Sequence, residues 1–297
     1  MATDLTAPPI APAPTVSVPP RRRNRRRLLT HAGIIAVVVV MLYPLIWMVA
    51  SSVKPTTEIF SEPGLLPHTW QWSNYVTGWH GVGVSFSIFF ENSLYISAVA
   101  VIGNVVSCSL AAYAFARLDF SFKRTAFAIM LVTLMLPSHV TLIPQYIMFN
   151  HIGWVNSFYP LTIPHFFAVD AFFIFLMVQF IRGLPRDLDD AARLDGCGPL
   201  RIFWHIVLPL LRPALVTTVI LTFIWTYNDF FKQLIYLDDP NMFTVPLGLR
   251  MFLDATEESS WGPMLAMSTV ALVPAMVLFA TFQRQIVDGI ATTGLRG

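Results

Sequence analysis

The stretch Arg182-Gly183-Leu184-Pro185-Arg186-Asp187-Leu188-Asp189-Asp190-Ala191-Ala192-Arg193-Leu194-Asp195-Gly196-Cys197-Gly198-Pro199, with the run to Ile206-Val207-Leu208-Pro209 behind it, decides the reading of this chain. It is a polar, hinged segment set between two strongly apolar ones. Pro185 followed by Asp187, Asp189 and Asp190 is a helix-start signal, because carboxylates favour the positive end of a helix dipole. Gly196, Gly198 and Pro199 then stop that helix, and residues 200–207 form a second one ending at Leu208-Pro209. The pattern predicts two short helices joined by a sharp turn at a membrane surface. Ala191 and Ala192 let another surface approach closely, and Asp190 can accept a charge-assisted hydrogen bond from a basic group on it. The competing reading is an amphipathic surface helix whose charges are only solvated.

Outward from that loop, the composition requires lipid. The 297 residues are 55% hydrophobic and only 12% charged, with a mean hydropathy of +0.62, too apolar for an ordinary soluble domain. About 20 mostly apolar residues cross a bilayer as a helix. Six runs qualify, at residues 28–53, 86–116, 125–149, 158–181, 213–236 and 264–282. A backbone crossing hydrocarbon must satisfy its own polar groups, so the expected class is an all-α integral membrane protein with six transmembrane helices. The runs are too long, and alternate too little, for barrel strands. Pro137 and Pro144 should bend or break the third span.

The basic residues set the orientation. With the amino terminus inside, 16 of the 19 Lys and Arg fall on inner segments, and only Lys54, Lys232 and Arg250 lie outside or near the outer face. That asymmetry fits an even number of spans in the cell membrane with both termini cytoplasmic; the basic residues are topology signals, and the net charge of +2 implies no nucleic-acid partner. Residues 1–27 read as a disordered cytoplasmic tail carrying a basic cluster, and residues 28–297 as the six-helix domain. The first apolar run is too long for a signal peptide and no small-x-small cleavage site precedes Lys54. Cys108 and Cys197 have no metal-ligand partners at useful spacing, and no phosphate loop, zinc or nucleophile motif occurs. The chain should therefore bind no cofactor or metal and hydrolyse no ATP itself.

The spacing of the loop, an acidic residue, Ala-Ala, Gly four further on, then Ile-x-Leu-Pro, resembles the EAA signature in membrane subunits of binding-protein-dependent ABC importers. Asn74-Tyr75, Asn92-Ser93, Ala111-Ala112-Tyr113-Ala114-Phe115-Ala116-Arg117, Trp225 with Asn228-Asp229-Phe230, Trp261-Gly262 and Gln283-Arg284 extend the likeness. It is to the maltose-transporter type, and to the shorter of its two permeases. The resemblance implies the type I permease fold, with residues 182–212 holding a coupling helix that sits in a cleft of an ATPase subunit. By that resemblance Asp187, Asp190, Ala191, Ala192, Asp195, Gly196, Ile206, Leu208 and Pro209 carry the coupling. The tail over residues 284–297, ending at Arg296 and Gly297, would reach the ATPase dimer interface. Two departures stand out: Asp190 occupies a position usually held by Glu, and Thr293 and Gly294 replace the usual Gly and Ala. The implied partners are a second permease, two nucleotide-binding subunits that hold ATP and Mg, an extracytoplasmic solute-binding protein and a carbohydrate substrate.

Polar residues within the apolar runs are the candidates for the substrate pathway. Asp170 lies near the middle of the fourth run, where an ionisable group must face protein or water. Trp225 and Asn228 share a helix face, with Asp229 beside them. An aromatic face with carboxylates and amides suits a saccharide, although such residues also serve as interhelical glue. Two long outer segments, residues 54–85 with Trp70, Trp72 and Trp79, and residues 237–263 with Asp238, Asp239, Asp254, Glu257 and Glu258, are candidate receivers of the binding protein. Tryptophans also anchor at lipid interfaces. The alternative from another class is an ion-coupled secondary transporter or channel with Asp170 as its coupling carboxylate; a membrane-embedded enzyme lacks a nucleophile-base or metal pattern.

Overall fold

The computed structural model describes residues 23–61, 64–254 and 260–294, and every regular element among them is helical. The chain divides into two units, residues 1–47 and 48–297. The first is known through helix α1 (Arg23–Ser51), whose stretch Arg27–Ser51 has a mean hydropathy of 2.5 and is long enough to cross a bilayer. The helix starts inside the basic cluster, five residues before the expected boundary, because arginine is a good helix former and nothing there breaks the pattern. The rest of the expected tail lies outside the described residues.

The second unit contains α2 (Thr56–Ser61), α3 (Ser73–His80) and the 32-residue α4 (Phe86–Arg117). Then come α5 (Lys123–Thr133), α6 (Ser138–His151), α7 (Tyr159–Thr162), a 3₁₀ turn at Ile163–Phe167 and α8 (Ala171–Arg182). Helix α4 is the centre against which α8, α12 and the 3₁₀ turn pack. Its buried residues include Ser93, Ser97, Ala100, Asn104, Cys108 and Ala112, a stripe of small side chains at helical spacing that lets neighbours approach closely. A Cβ on Gly103 would stand 3.0 Å from the His165 backbone.

The remaining elements are α9 (Asp187–Leu194), α10 (Pro199–Ile202), a π turn at Phe203–Val207, α11 (Leu208–Leu210) and α12 (Arg212–Tyr227). They continue through α13 (Phe231–Tyr236), α14 (Val245–Asp254), α15 (Trp261–Ala271) and α16 (Val273–Gly294).

The six expected spans are borne out in part. Among the described residues four stretches are long and apolar enough to cross: Arg27–Ser51, Phe86–Arg117, Tyr159–Arg182 and Trp261–Gln283. A fifth arises if the pair Pro199–Leu210 and Arg212–Tyr227, bent by 76°, counts as one. The third expected span is two helices, α5 and α6. Pro137 lacks an amide and forces the residue before it out of helical geometry, while Pro144 is accommodated inside α6. The fourth is interrupted at residues 168–170, where Ala168 adopts φ 53, a left-handed conformation unusual for a non-glycine. The fifth stops at Tyr227 and resumes as α13, and the sixth turns at Leu272.

Over their described residues, the two long segments expected on the outer side are folded parts of the unit. Lys54 is 1% exposed and its ammonium donates to the Gly64 carbonyl. The Asn74 amide donates to the carbonyls of Ser52 and Lys54, 2.9 Å each. Trp79 stacks on Phe90 and donates to Ser87 Oγ at 2.9 Å, whereas Trp70 and Trp72 stack on each other and stay exposed. Asp239 caps a 3₁₀ turn by accepting from the Asn241 amide. Glu257 and Glu258 lie outside the described residues, as does the Asp254 side chain.

Gly262 packs on that Asn74 amide; a Cβ there would lie 2.7 Å from Nδ2. Gly262→Ala should displace the amide, strand two carbonyls and destabilise the unit by about 1–3 kcal/mol. Thermal unfolding of the detergent-solubilised protein measures this, and Gly33→Ala, where a Cβ meets nothing within 4 Å, is the control.

Candidate functional site

A cavity of about 810 Å³ opens between α6, the 3₁₀ turn, α8, α12 and α13. Its polar floor is built around α4. Asn104 is 1% exposed; its Nδ2 donates to Thr222 Oγ1 on α12 at 3.2 Å, while its Oδ1 meets His165 Nδ1 at 3.2 Å. His165 Nδ1 also lies 3.1 Å from Asp170 Oδ2. Both of its neighbours are acceptors, so Nδ1 carries the ring proton. Ser107 Oγ, on the next turn of α4, donates to the His165 carbonyl at 2.7 Å. These bonds hold the interruption in the fourth span and put the Asp170 carboxylate at the cavity wall.

At the other end Lys232 sits 3.7 Å from Asp229. Trp225 packs against Phe172 and Phe173 and leaves half its surface exposed to the cavity. Three of the four pathway candidates, Asp170, Trp225 and Asp229, thus line one space. Asn228 does not: it is exposed and its Nδ2 donates to the Ile224 carbonyl of its own helix at 2.8 Å. The i, i+3 spacing failed because α12 ends at Tyr227 and Asn228 caps it. Asn104 and His165 were missed, since one amide in a span and one histidine beside a proline look like packing residues until the fold brings them together.

The loop shows a division of labour along α9. Asp187, Asp190, Ala191 and Leu194 are exposed on one face, and Leu194 is 91% exposed. Asp189 and Ala192, three residues apart, are buried on the other. Ala192 therefore packs into the core with Ala112, Ala116 and Ile202, which corrects its reading as a surface residue. Asp195 is exposed. Gly196, at φ 79, closes α9: the Cys197 amide donates to the Ala192 carbonyl and the Gly196 amide to that of Arg193. This is a Schellman ending, for which the left-handed glycine is required. Ile206 and Leu208 lean on the same core, while Pro209 is exposed. With no amide at Pro209, the helix before it widens into a π turn. Arg296 and Gly297 lie outside the described residues.

The buried side of α9 holds an ion pair absent from the sequence reading. Arg117 Nε is 2.7 Å from Asp189 Oδ2, off hydrogen-bond alignment, with the two side chains 4% and 7% exposed. Arg117 Nη2 donates to the Leu184 carbonyl at 2.9 Å.

The family model for the inner membrane component of binding-protein-dependent transport systems matches residues 103–291, which include the loop and every cavity-lining residue except Ile96. The chain belongs to this family. This permease is 35% identical to the probable ABC transporter permease protein YurM of Bacillus subtilis, over 86% of the chain and 84% of that protein. It is 30% identical to the trehalose/maltose transport system permease protein MalG of Thermococcus litoralis, over 93% of the chain and 99% of that protein. A crystal structure of a bacterial ABC transporter that imports alginate shares the fold, with a TM-score of 0.77 at 21% identity over 92% of the permease and 99% of that chain. The permease is thus a multi-pass membrane protein, and its relatives are transport subunits.

Asn104→Leu removes an amide that serves Thr222 and His165 together. It should destabilise the permease by about 1–3 kcal/mol, because buried polar partners are left unmatched. Thr222→Val in the same background should recover part of the loss in thermal unfolding.

Proposed function

We propose that this permease forms one half of the pathway of an ATP-driven carbohydrate importer working by alternating access, with both termini and the 182–212 loop cytoplasmic. The observation that carries the reading is the exposed stripe Asp187, Asp190, Ala191 and Leu194 on a helix whose opposite face is fixed to the core. Such a face, acidic and small with one apolar prong, fits a cleft of an ATPase subunit. ATP and Mg are then held by two such partners, and closing of the pair moves the loop. A second permease completes the pathway, and an extracytoplasmic solute-binding protein loads it. The ion-coupled alternative is not favoured by membership of this family.

The carbohydrate reading draws on the trehalose/maltose relative and on the charge of the cavity. Its two basic lining residues are both engaged, Lys232 with Asp229 and His165 with Asp170. That arrangement suits a neutral hydroxylated solute better than a phosphorylated one. Hydroxyls can pair with the carboxylates and the amides of the wall, and a sugar face can stack on Trp225.

Affinity purification from native membranes tests the assembly. The wild type should carry a phosphate-loop ATPase and a second permease. Asp190→Arg with Gly196→Pro should lose the ATPase, because proline cannot take the φ 79 of the turn. Wild-type preparations that never contain an ATPase would overturn the reading. In uptake assays Asp170→Ala should abolish import without loss of the complex; unchanged import would remove Asp170 from the pathway.

A further inference from the structure

Helix α4 touches both of the places that the proposed mechanism must connect. At one end it holds the two arms of the loop. Arg117 pairs with buried Asp189 and donates to the Leu184 carbonyl, fixing the arm that carries α9. One turn earlier, Tyr113 Oη donates to the Pro199 carbonyl at 3.0 Å and its ring packs on Phe203, fixing the second arm. Thirteen residues back, about 20 Å along the axis at 1.5 Å per residue, Asn104 holds Thr222 and His165 at the cavity floor.

We infer that Arg117 and Asp189 are positioning residues, a clamp that makes the loop and α4 move as one body and so carries displacement of α9 to the cavity. The inference rests on the proposed docking of α9. Three observations support it. The pair faces away from the exposed stripe, so a push on one side of α9 is delivered to Arg117 on the other. The apolar runs beside α4 are interrupted at residues 134–137, 168–170 and 228–230, whereas α4 is unbroken over 32 residues and can carry an axial displacement without folding at a hinge. And a buried ion pair is a poor source of stability, since desolvation offsets its attraction; an apolar pair would hold the two elements equally well but without fixed direction. The anchoring at Leu184 and Asp189 fixes the register of α9 on α4, which the apolar cluster that Ala192 shares with Ala112 and Ala116 does not set by itself.

The test uses the whole complex purified from membranes, with a bimane fluorophore on Thr133→Cys at the cavity wall in a Cys197→Ser background, and ATP with orthovanadate as the driving probe; the other cysteine, Cys108, is fully buried. The wild-type pair should give a fluorescence change on adding ATP and vanadate. Arg117→Met with Asp189→Leu, which replaces the ion pair by an apolar contact, should retain the ATPase and its hydrolysis but lose the fluorescence response several-fold. The swapped pair, Arg117→Asp with Asp189→Arg, should restore much of it. A full response in the apolar pair, an apolar pair that no longer holds the ATPase, or a swap that restores nothing would each overturn the clamp. A wild-type complex without ATPase would instead show that the docking reading has failed, and the inference would fall with it.

Discussion

Wherever a helix is interrupted inside hydrocarbon, its freed backbone groups have no water to turn to. The second unit of this permease depends on how that constraint is met. Three of its apolar runs are broken and the sixth turns at Leu272, while the continuous α4 supplies side chains to its neighbours. Ser107 takes the His165 carbonyl beside the left-handed turn at Ala168, and Asn104 holds the imidazole that in turn holds Asp170. The small residues on α4 admit these neighbours at close range. The polar cavity floor and the interruption of the fourth span are therefore two aspects of one arrangement.

The same helix deals with charge at its other end. Arg117 is nearly inaccessible, and it is tolerated there because Asp189 and a carbonyl meet it. The remaining carboxylates of α9 stay in solvent on the opposite face. One eight-residue helix thus separates the acid group that serves the fold, Asp189, from the carboxylates left exposed. Placing Asp189 inside also fixes which side of α9 faces out, and with it the exposure of Asp190, Ala191 and Leu194.

The apolar class, the loop with its two short helices and glycine turn, and the break at Pro137 were all legible in the chain. Each depends on residues adjacent in sequence: run length, a proline, a cluster of carboxylates, a glycine able to adopt positive φ. The break at Ala168 was not legible, since alanine is a strong helix former and the groups that stabilise the turn sit some 60 residues earlier on α4. Of the pathway candidates, Asp170, Trp225 and Asp229 share a cavity, but Asn228 was misplaced because the end of α12 rotates it away.

Sequence by itself determined that the chain lives in lipid and where a polar loop returns between apolar runs. Those properties follow from local composition and backbone preference. Tertiary structure alone decided that Asp189 and not Asp190 is buried, that Ala192 faces inward, and that Asn104, His165, Asp170 and Thr222 form one network. Side chains of identical chemistry differ only in which neighbour reaches them, and that is fixed by the packing of α4 against segments distant in the chain.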